Sequence, residues 1–186
     1  LDASVLKFPD RLTAVGAIID KYLRDPEFNL PDETAHLLFL ANRWEAAQNI
    51  IDTLNSGRSI VVDRYIYSGI AYTLAKNSSN DATINSIEWL YSPDKGLPKP
   101  DVTFFLTLSM DELAARKGWG EERYESEQFQ KKVRQCFEMV FDIPGHEAVR
   151  VDVSGKSIEQ TTEILWKEME QRGLNDKTDN DIDQLK

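Results

Sequence analysis

The run SIVVDRY, residues 59–65, follows Gly57 and sets three β-forming aliphatics directly before an acid, a base and a tyrosine. A short apolar run that stops abruptly at charged residues reads as a buried strand of a parallel sheet. Asp63 and Arg64 then emerge at its carboxyl end, where open α/β sheets place their ligands. The competing reading of this pair is a solvated strand terminus.

Working outward from this strand, the chain alternates short apolar runs with longer helical periods, which predicts an α/β protein with a parallel sheet flanked by helices. Three further strands are expected at Val5 to Phe8, Val102 to Leu108 (VTFFLTL, the only long one) and Val149 to Val153 (VRVDV). A helix is predicted from Pro31 and Asp32 to about Leu54, stopped by Asn55, Ser56 and Gly57. Ser109 with Glu112, and Ser157 with Gln160, have the spacing of capping boxes, and Gly173 is a natural helix stop. Residues 1–172 are expected to form one domain, with no internal repeat. Residues 173–186, most plainly from Asn175 (NDKTDNDIDQLK), are polar and acidic and are expected to form a disordered tail.

The chain has 186 residues, 41% hydrophobic and 29% charged, the balance of one globular domain with a packed core. Its formal net charge of −10 argues against a nucleic-acid polymer as partner, since no clustered basic surface is available for counterion release. A small anion needs only a few cations converging in a cleft. Cys136 is the only cysteine, so neither an intrachain disulfide nor a cysteine-rich zinc site can form. With His36 and His146 the only histidines, any metal is expected to be held by oxygen. No apolar run approaches the roughly 20 residues of a membrane span, so no membrane is expected as a partner.

Arginine is the residue type to follow, because its planar fork donates paired hydrogen bonds to phosphate and keeps its charge when desolvated. Arg11, Arg43, Arg64 and Arg123 each sit where a strand end, helix face or loop can reach a common cleft. Phe39 and Arg43, spaced i, i+4, place a flat ring and a donor on one helical face, as base recognition requires. A core phenylalanine beside a surface arginine is the competing reading. RKGWGEERYESEQF, residues 116–129, reads as a mobile flap with Gly118 and Gly120 as hinges and Arg116, Lys117 and Arg123 able to close over phosphates. A charged helix connection is the alternative.

Five separated segments together resemble thymidylate kinases of the fungal and animal type: FPDR (8–11), HLLFLANRWE (36–45), VVDRYIYSGIAYTLAK (61–76), DKGLPKPD (94–101) and GEERYESEQFQ (120–130). The resemblance runs from about Val5 to Gln171. It implies a nucleoside-monophosphate-kinase-like fold and Mg²⁺- and ATP-dependent phosphorylation of dTMP to dTDP, in the cytoplasm or nucleus and as a homodimer.

Carried over by position, the resemblance implies that Arg11 and Arg64 hold the dTMP phosphate, with Asp63 where acceptor, metal water and nucleotide meet. Phe39 would stack on thymine, Arg43 would donate to a thymine carbonyl, Ser68 would lie near the base, and Tyr72 would crowd out a ribose 2′-hydroxyl. Tyr124 and Gln130 match residues near dTMP on a lid spanning about 116–125, while Lys117 and Arg123 match lid positions near the ATP phosphates.

Two departures stand out. Asp10 occupies a position where related sequences usually have glutamate, which bears on how Arg11 is braced. The chain also contains no G-x-x-x-x-G-K-[S/T] loop, which in this family precedes the FPDR region on the central first strand. A further strand, loop and helix are therefore expected upstream, and the 186 residues alone are expected to be inactive. A nucleotide-binding or interaction module that keeps the dTMP pocket but has lost ATP binding is the alternative reading.

Overall fold

Two parallel strand pairs form the frame of the protein. The computed structural model describes residues 2–76, 86–115, 122–174 and 181–186. Strand β1 (Ala3–Lys7) pairs with β2 (Ser59–Asp63), Val5 opposite Val61. Strand β3 (Phe104–Thr107) pairs with β4 (Val149–Asp152), Leu106 opposite Val151. The expected parallel sheet is thus present as two separate two-stranded sheets, with no strand among the described residues bridging them. Val5, Val61 and Leu106 stay exposed, unlike the doubly covered strands usual in parallel sheets.

Three strands differ from the sequence expectation, the fourth only by ending one residue earlier, at Asp152. The first begins two residues earlier, because its register is set by Ser59 to Asp63 and Ala3 is the partner of Ser59. The third is four residues rather than seven, because β4, its one partner among the described residues, is equally short. There the chain turns as the Asp152 carboxylate accepts from the Ser154 N–H at 3.0 Å.

Helix α1 (Ala14–Arg24) starts at Thr13, whose hydroxyl accepts from the Gly16 N–H, and ends with Lys21 and Arg24 in the last turn, where cations suit the helix dipole. Helix α2 (Asp32–Asn55) has Asp32 and Glu33 in its first turn and gives way to Gly57 at φ +77°, within a residue of the expected bounds. Helix α3 (Ile66–Lys76) lies inside the fold, packed against α2 and against α6 (Glu127–Phe141). Helix α4 (Ile87–Tyr91) and a 3₁₀ turn (Ser92–Asp94) bring the chain back beneath α2.

The Ser157–Gln160 capping box is complete at the start of α7 (Ile158–Gln171), and the Gly173 N–H closes that end by donating to the Glu170 carbonyl. The one at Ser109, opening α5 (Met110–Ala114), is only half formed. Its Glu112 does not reach back to the Ser109 N–H, which donates to Ser154 instead, and Glu112 accepts from the Ser109 hydroxyl and the Gly155 N–H.

The main core gathers Ile66 and Ile70 of α3, Leu90, Leu97, and Val140 and Phe141 of α6. Each large apolar side chain so enclosed contributes roughly 1.5–3 kcal/mol. A second core joins α1 to α2 through Ile19, Tyr22, Leu23 and Ala35, with Phe39 and Tyr124 packed on it.

The C-terminal residues correct an expectation. Residues 175–180 lie outside the described residues, but 181–186 are not a free tail, because Leu185 is 5% exposed in the main core. Its N–H donates to the Leu97 carbonyl and its carbonyl accepts from Gly96, both at 2.9 Å. A polar sequence with one well-placed leucine and an exposed backbone edge to pair with can dock where composition predicts disorder.

Candidate functional site

Beyond β1, residues Phe8 to Arg11 turn across the start of α1. Asn42 of α2, 1% exposed, accepts from the Asp10 N–H at 2.8 Å and donates to the Asp10 carbonyl at 3.0 Å. The turn lies so close to α1 that a Cβ on Gly16 would stand 1.8 Å from the Asp10 carbonyl oxygen. The Asp10 carboxylate accepts from the Leu12 N–H at 3.0 Å, so the shorter acid at this position secures the turn rather than Arg11.

Arg11 is braced by other carboxylates. Its Nη1 donates to Asp20 at 2.8 Å and to Glu122 at 2.7 Å, and its Nη2 donates to the second Glu122 oxygen at 2.9 Å. The hydrogen bonds to Glu122 raise the Arg11 pKa, and the same bonds hold the Glu122 carboxyl below its usual range against the opposing effect of burial.

Helix α2 supplies the adjoining wall through His36, Phe39 and Arg43, each about one turn from the next. The His36 Nε2–H donates to the Leu90 carbonyl and its Nδ1 faces the Thr73 hydroxyl, both at 3.0 Å; burial lowers its pKa. Arg43 is buried against an equally buried acid: its Nε and Nη2 each donate at 2.8 Å to one oxygen of Asp94.

Helix α3 forms the opposite wall. Arg64, two residues before it, has φ +65°, a left-handed conformation that costs a side-chain-bearing residue strain and collects at functional sites. Its Nη1 donates to the Tyr72 hydroxyl at 3.2 Å, and its guanidinium lies over that ring at 5.3 Å. Lys76 ends the wall, donating to the Tyr22 hydroxyl at 2.9 Å and pairing with Asp32 at 3.3 Å. Residues 122–130 close the side: Gln130 donates to the Tyr72 hydroxyl and to the Tyr124 carbonyl, and the Tyr124 ring stacks on Phe129. Burial, and next the hydrogen bond to Tyr22, push the Tyr124 phenol far up, so it stays neutral.

These walls enclose a cleft of about 340 Å³, within the range that holds small ligands. The structure brings together Arg11, Phe39, Arg43 and Arg64 with Ser68, Tyr72, Tyr124 and Gln130. It does not bring in Asp63, which is half-exposed as the last residue of β2 and paired with Lys7 at 3.3 Å. Nor does it bring in Arg123, expected near phosphates. Arg123 donates to the carbonyls of Tyr22, Asp25 and Phe28 and to the Asn29 side chain, and so ties residues 122–124 to the end of α1. Lys117, with Arg116, Gly118 and Gly120 of the expected flap, lies outside the described residues.

Sequence reasoning missed His36, Gly69, Lys76 and Glu122 as lining residues. Lys76 was open to discovery, since it falls one turn after Tyr72 on the same face of α3. Glu122 carried no signal apart from its neighbours.

A family model described as thymidylate kinase matches residues 2–164. A thymidylate kinase of Dictyostelium discoideum is 47% identical over 138 residues, 74% of this chain and 59% of that protein. One of Danio rerio is 46% identical over 136 residues, 73% of this chain and 61% of that protein. The matched stretch thus spans about three-fifths of the length of these two relatives. The structure of a thymidylate kinase from Candida albicans superposes with a TM-score of 0.94 at 49% identity, covering 99% of this chain and 86% of that one. With a family match over most of its length, this chain belongs to the thymidylate kinase family.

Proposed function

We propose that the protein phosphorylates dTMP, with ATP as phosphoryl donor, and that the cleft holds dTMP. The observation that carries this reading is the placement of Phe39 and Arg43, a ring and a hydrogen-bond donor one turn apart, in the same cleft as Arg11 and Arg64. A pyrimidine against Phe39 gains stacking, and Arg43 donates to its carbonyl. The dTMP phosphate lies between Arg64 and Arg11, displacing Glu122 from the latter. Ser68 lies beside the base. The Tyr72 ring packs on the sugar where a ribonucleotide would carry its 2′-hydroxyl, and with no partner offered there that hydroxyl is desolvated and crowded.

In the transfer, a dTMP phosphate oxygen bonds to the terminal phosphorus of ATP as the bond from that phosphorus to ADP breaks. The protein contributes alignment and charge compensation rather than covalent chemistry. Arg11 and Arg64 fix the attacking oxygen. The segment of about 116–125 acts as a lid, a role supported by the presence of Glu122, Tyr124 and Glu125 in the cleft wall. In this reading Lys117 serves to neutralise the ATP phosphates, and Arg123 anchors residues 122–124 to the end of α1.

No group of three Asp, Glu, His or Cys among the described residues is placed to hold a metal ion. Mg²⁺ carried on substrate phosphates needs only one or two protein carboxylates, and Asp63 at the end of β2 offers one. The ion's contribution when bound is neutralisation of charge on the transferring group.

Among the described residues no helix is long and apolar enough to cross a membrane. A homodimer joined through the exposed apolar face of α2, including Leu37 and Trp44, and a cytoplasmic or nuclear location complete the proposal.

The test is transfer of labelled terminal phosphate from Mg-ATP to dTMP by the purified protein, with dCMP and dGMP in parallel. Labelled dTDP formed in preference to the other diphosphates supports the reading. Preference for dCMP or dGMP overturns the assignment of the base.

A further inference from the structure

Arg43 has three nitrogens able to donate, and two of them are spent inside the protein. Nε and Nη2 grip the two oxygens of Asp94 at 2.8 Å each, with the side chains 3% and 0% exposed. A two-point grip fixes the rotation and plane of the guanidinium, which a single hydrogen bond would not. The third nitrogen, Nη1, has no hydrogen-bond partner among the described residues, on a side chain that lines the cleft. From α3, Gly69 supports the same plane: a Cβ there would stand 3.0 Å from Nη1 and 3.2 Å from Nη2.

Asp94 is itself held in place. The Trp44 indole N–H, one residue beyond Arg43 on α2, donates to the Pro93 carbonyl at 3.0 Å. On the other side, the Asp94 carbonyl accepts from the Leu97 N–H at 3.1 Å. The acid is thus part of a short, pinned turn rather than a side chain free to follow the arginine.

We propose that Asp94 is a positioning residue for base selectivity: it aims Nη1 of Arg43 into the cleft as a donor and cancels the arginine's charge. This rests on the reading of the cleft as a dTMP site. A guanidinium already paired with a carboxylate has little attraction left for phosphate, whereas its remaining N–H still suits a neutral carbonyl. The nucleotide is thereby oriented with its phosphate toward Arg64 and its base toward Arg43. Because arginine only donates, Nη1 donates to the 4-carbonyl of thymine and leaves the 4-amino group of cytosine, itself a donor, unpaired.

The experiment is calorimetric titration of the full chain and its Asp94→Asn variant with dTMP and with dCMP, with thermal unfolding midpoints recorded for both proteins. Loss of an oriented, charge-assisted bond is expected to weaken dTMP binding by roughly 10- to 100-fold. Binding of dCMP should change much less, so the preference for dTMP collapses. A variant with a lowered midpoint but an unchanged dTMP-to-dCMP ratio shows a structural role only and overturns the proposal. If Asp94→Asn does not fold, Gly69→Ala displaces the guanidinium from the opposite side with the acid intact; a narrowed ratio supports the proposal and an unchanged one overturns it. A wild-type protein with no preference for dTMP over dCMP overturns the reading of the cleft itself, whereas preference without dependence on these residues overturns only the assignment of Asp94.

Discussion

Glu122 holds Arg11 through both carboxylate oxygens, at 2.7 and 2.9 Å, across 111 positions of sequence. A carboxylate in this two-point arrangement occupies the donors that a phosphate would use. On the proposed reading, lid and acceptor site are therefore linked by competition for one guanidinium.

The Glu122→Gln variant is accordingly expected to bind dTMP several-fold more tightly, because the phosphate no longer displaces a charged competitor. Calorimetric titration checks it. The pair also predicts acid sensitivity. Since Arg11 holds the folded-state pKa of Glu122 below its usual value, the stabilisation is fully present above about pH 4.3 and is lost as the pH falls through the lowered value. Thermal unfolding of the variant should fall less steeply on acidification than that of the wild type.

His36 gives a second pH dependence, at higher pH. Burial lowers its folded-state pKa, so its contribution to stability is complete above about pH 6.5 and is lost as the pH drops from there toward the lowered value. His36→Gln should be less stable than the wild type at pH 8, and the gap in unfolding midpoint should shrink by pH 5.5. A gap that widens on acidification would contradict the neutral assignment.

Truncating Leu185 to alanine tests the docked C-terminus. At 5% exposure the side chain is buried as fully as a core residue, and its loss should cost about 2–3 kcal/mol, at the low end for such a truncation because the segment can relax at the chain end. Urea unfolding monitored by tryptophan fluorescence measures it. A change below about 0.5 kcal/mol, the scale of an ordinary surface substitution, would mean that the segment adds little.

The sequence was most legible where one stretch carries its own physics. SIVVD forms β2 with the expected bounds, and the Ser157–Gln160 cap closes as its spacing predicts. Phe39 with Arg43, and Ser68 with Tyr72, share faces of helices whose period is plain, and those faces do line the cleft. What stayed hidden are pairings between distant residues of ordinary type: Glu122 on Arg11, Asp94 on Arg43, and the amide of Asn42 holding the Asp10 backbone. Arg123 shows the converse. Its position in a charged flap suggested phosphate, yet backbone carbonyls at the end of α1 take its donors. The polar composition of residues 173–186 likewise concealed one leucine, Leu185, that joins the main core.

The central claim, that this cleft takes dTMP with its base on Phe39, is tested most directly by calorimetric titration of the wild type and of Phe39→Ala with dTMP. Removing the stacking surface should weaken binding by about 1–3 kcal/mol, roughly 5- to 150-fold. Equal affinity in the two proteins, or no binding of dTMP by the wild type, would contradict it.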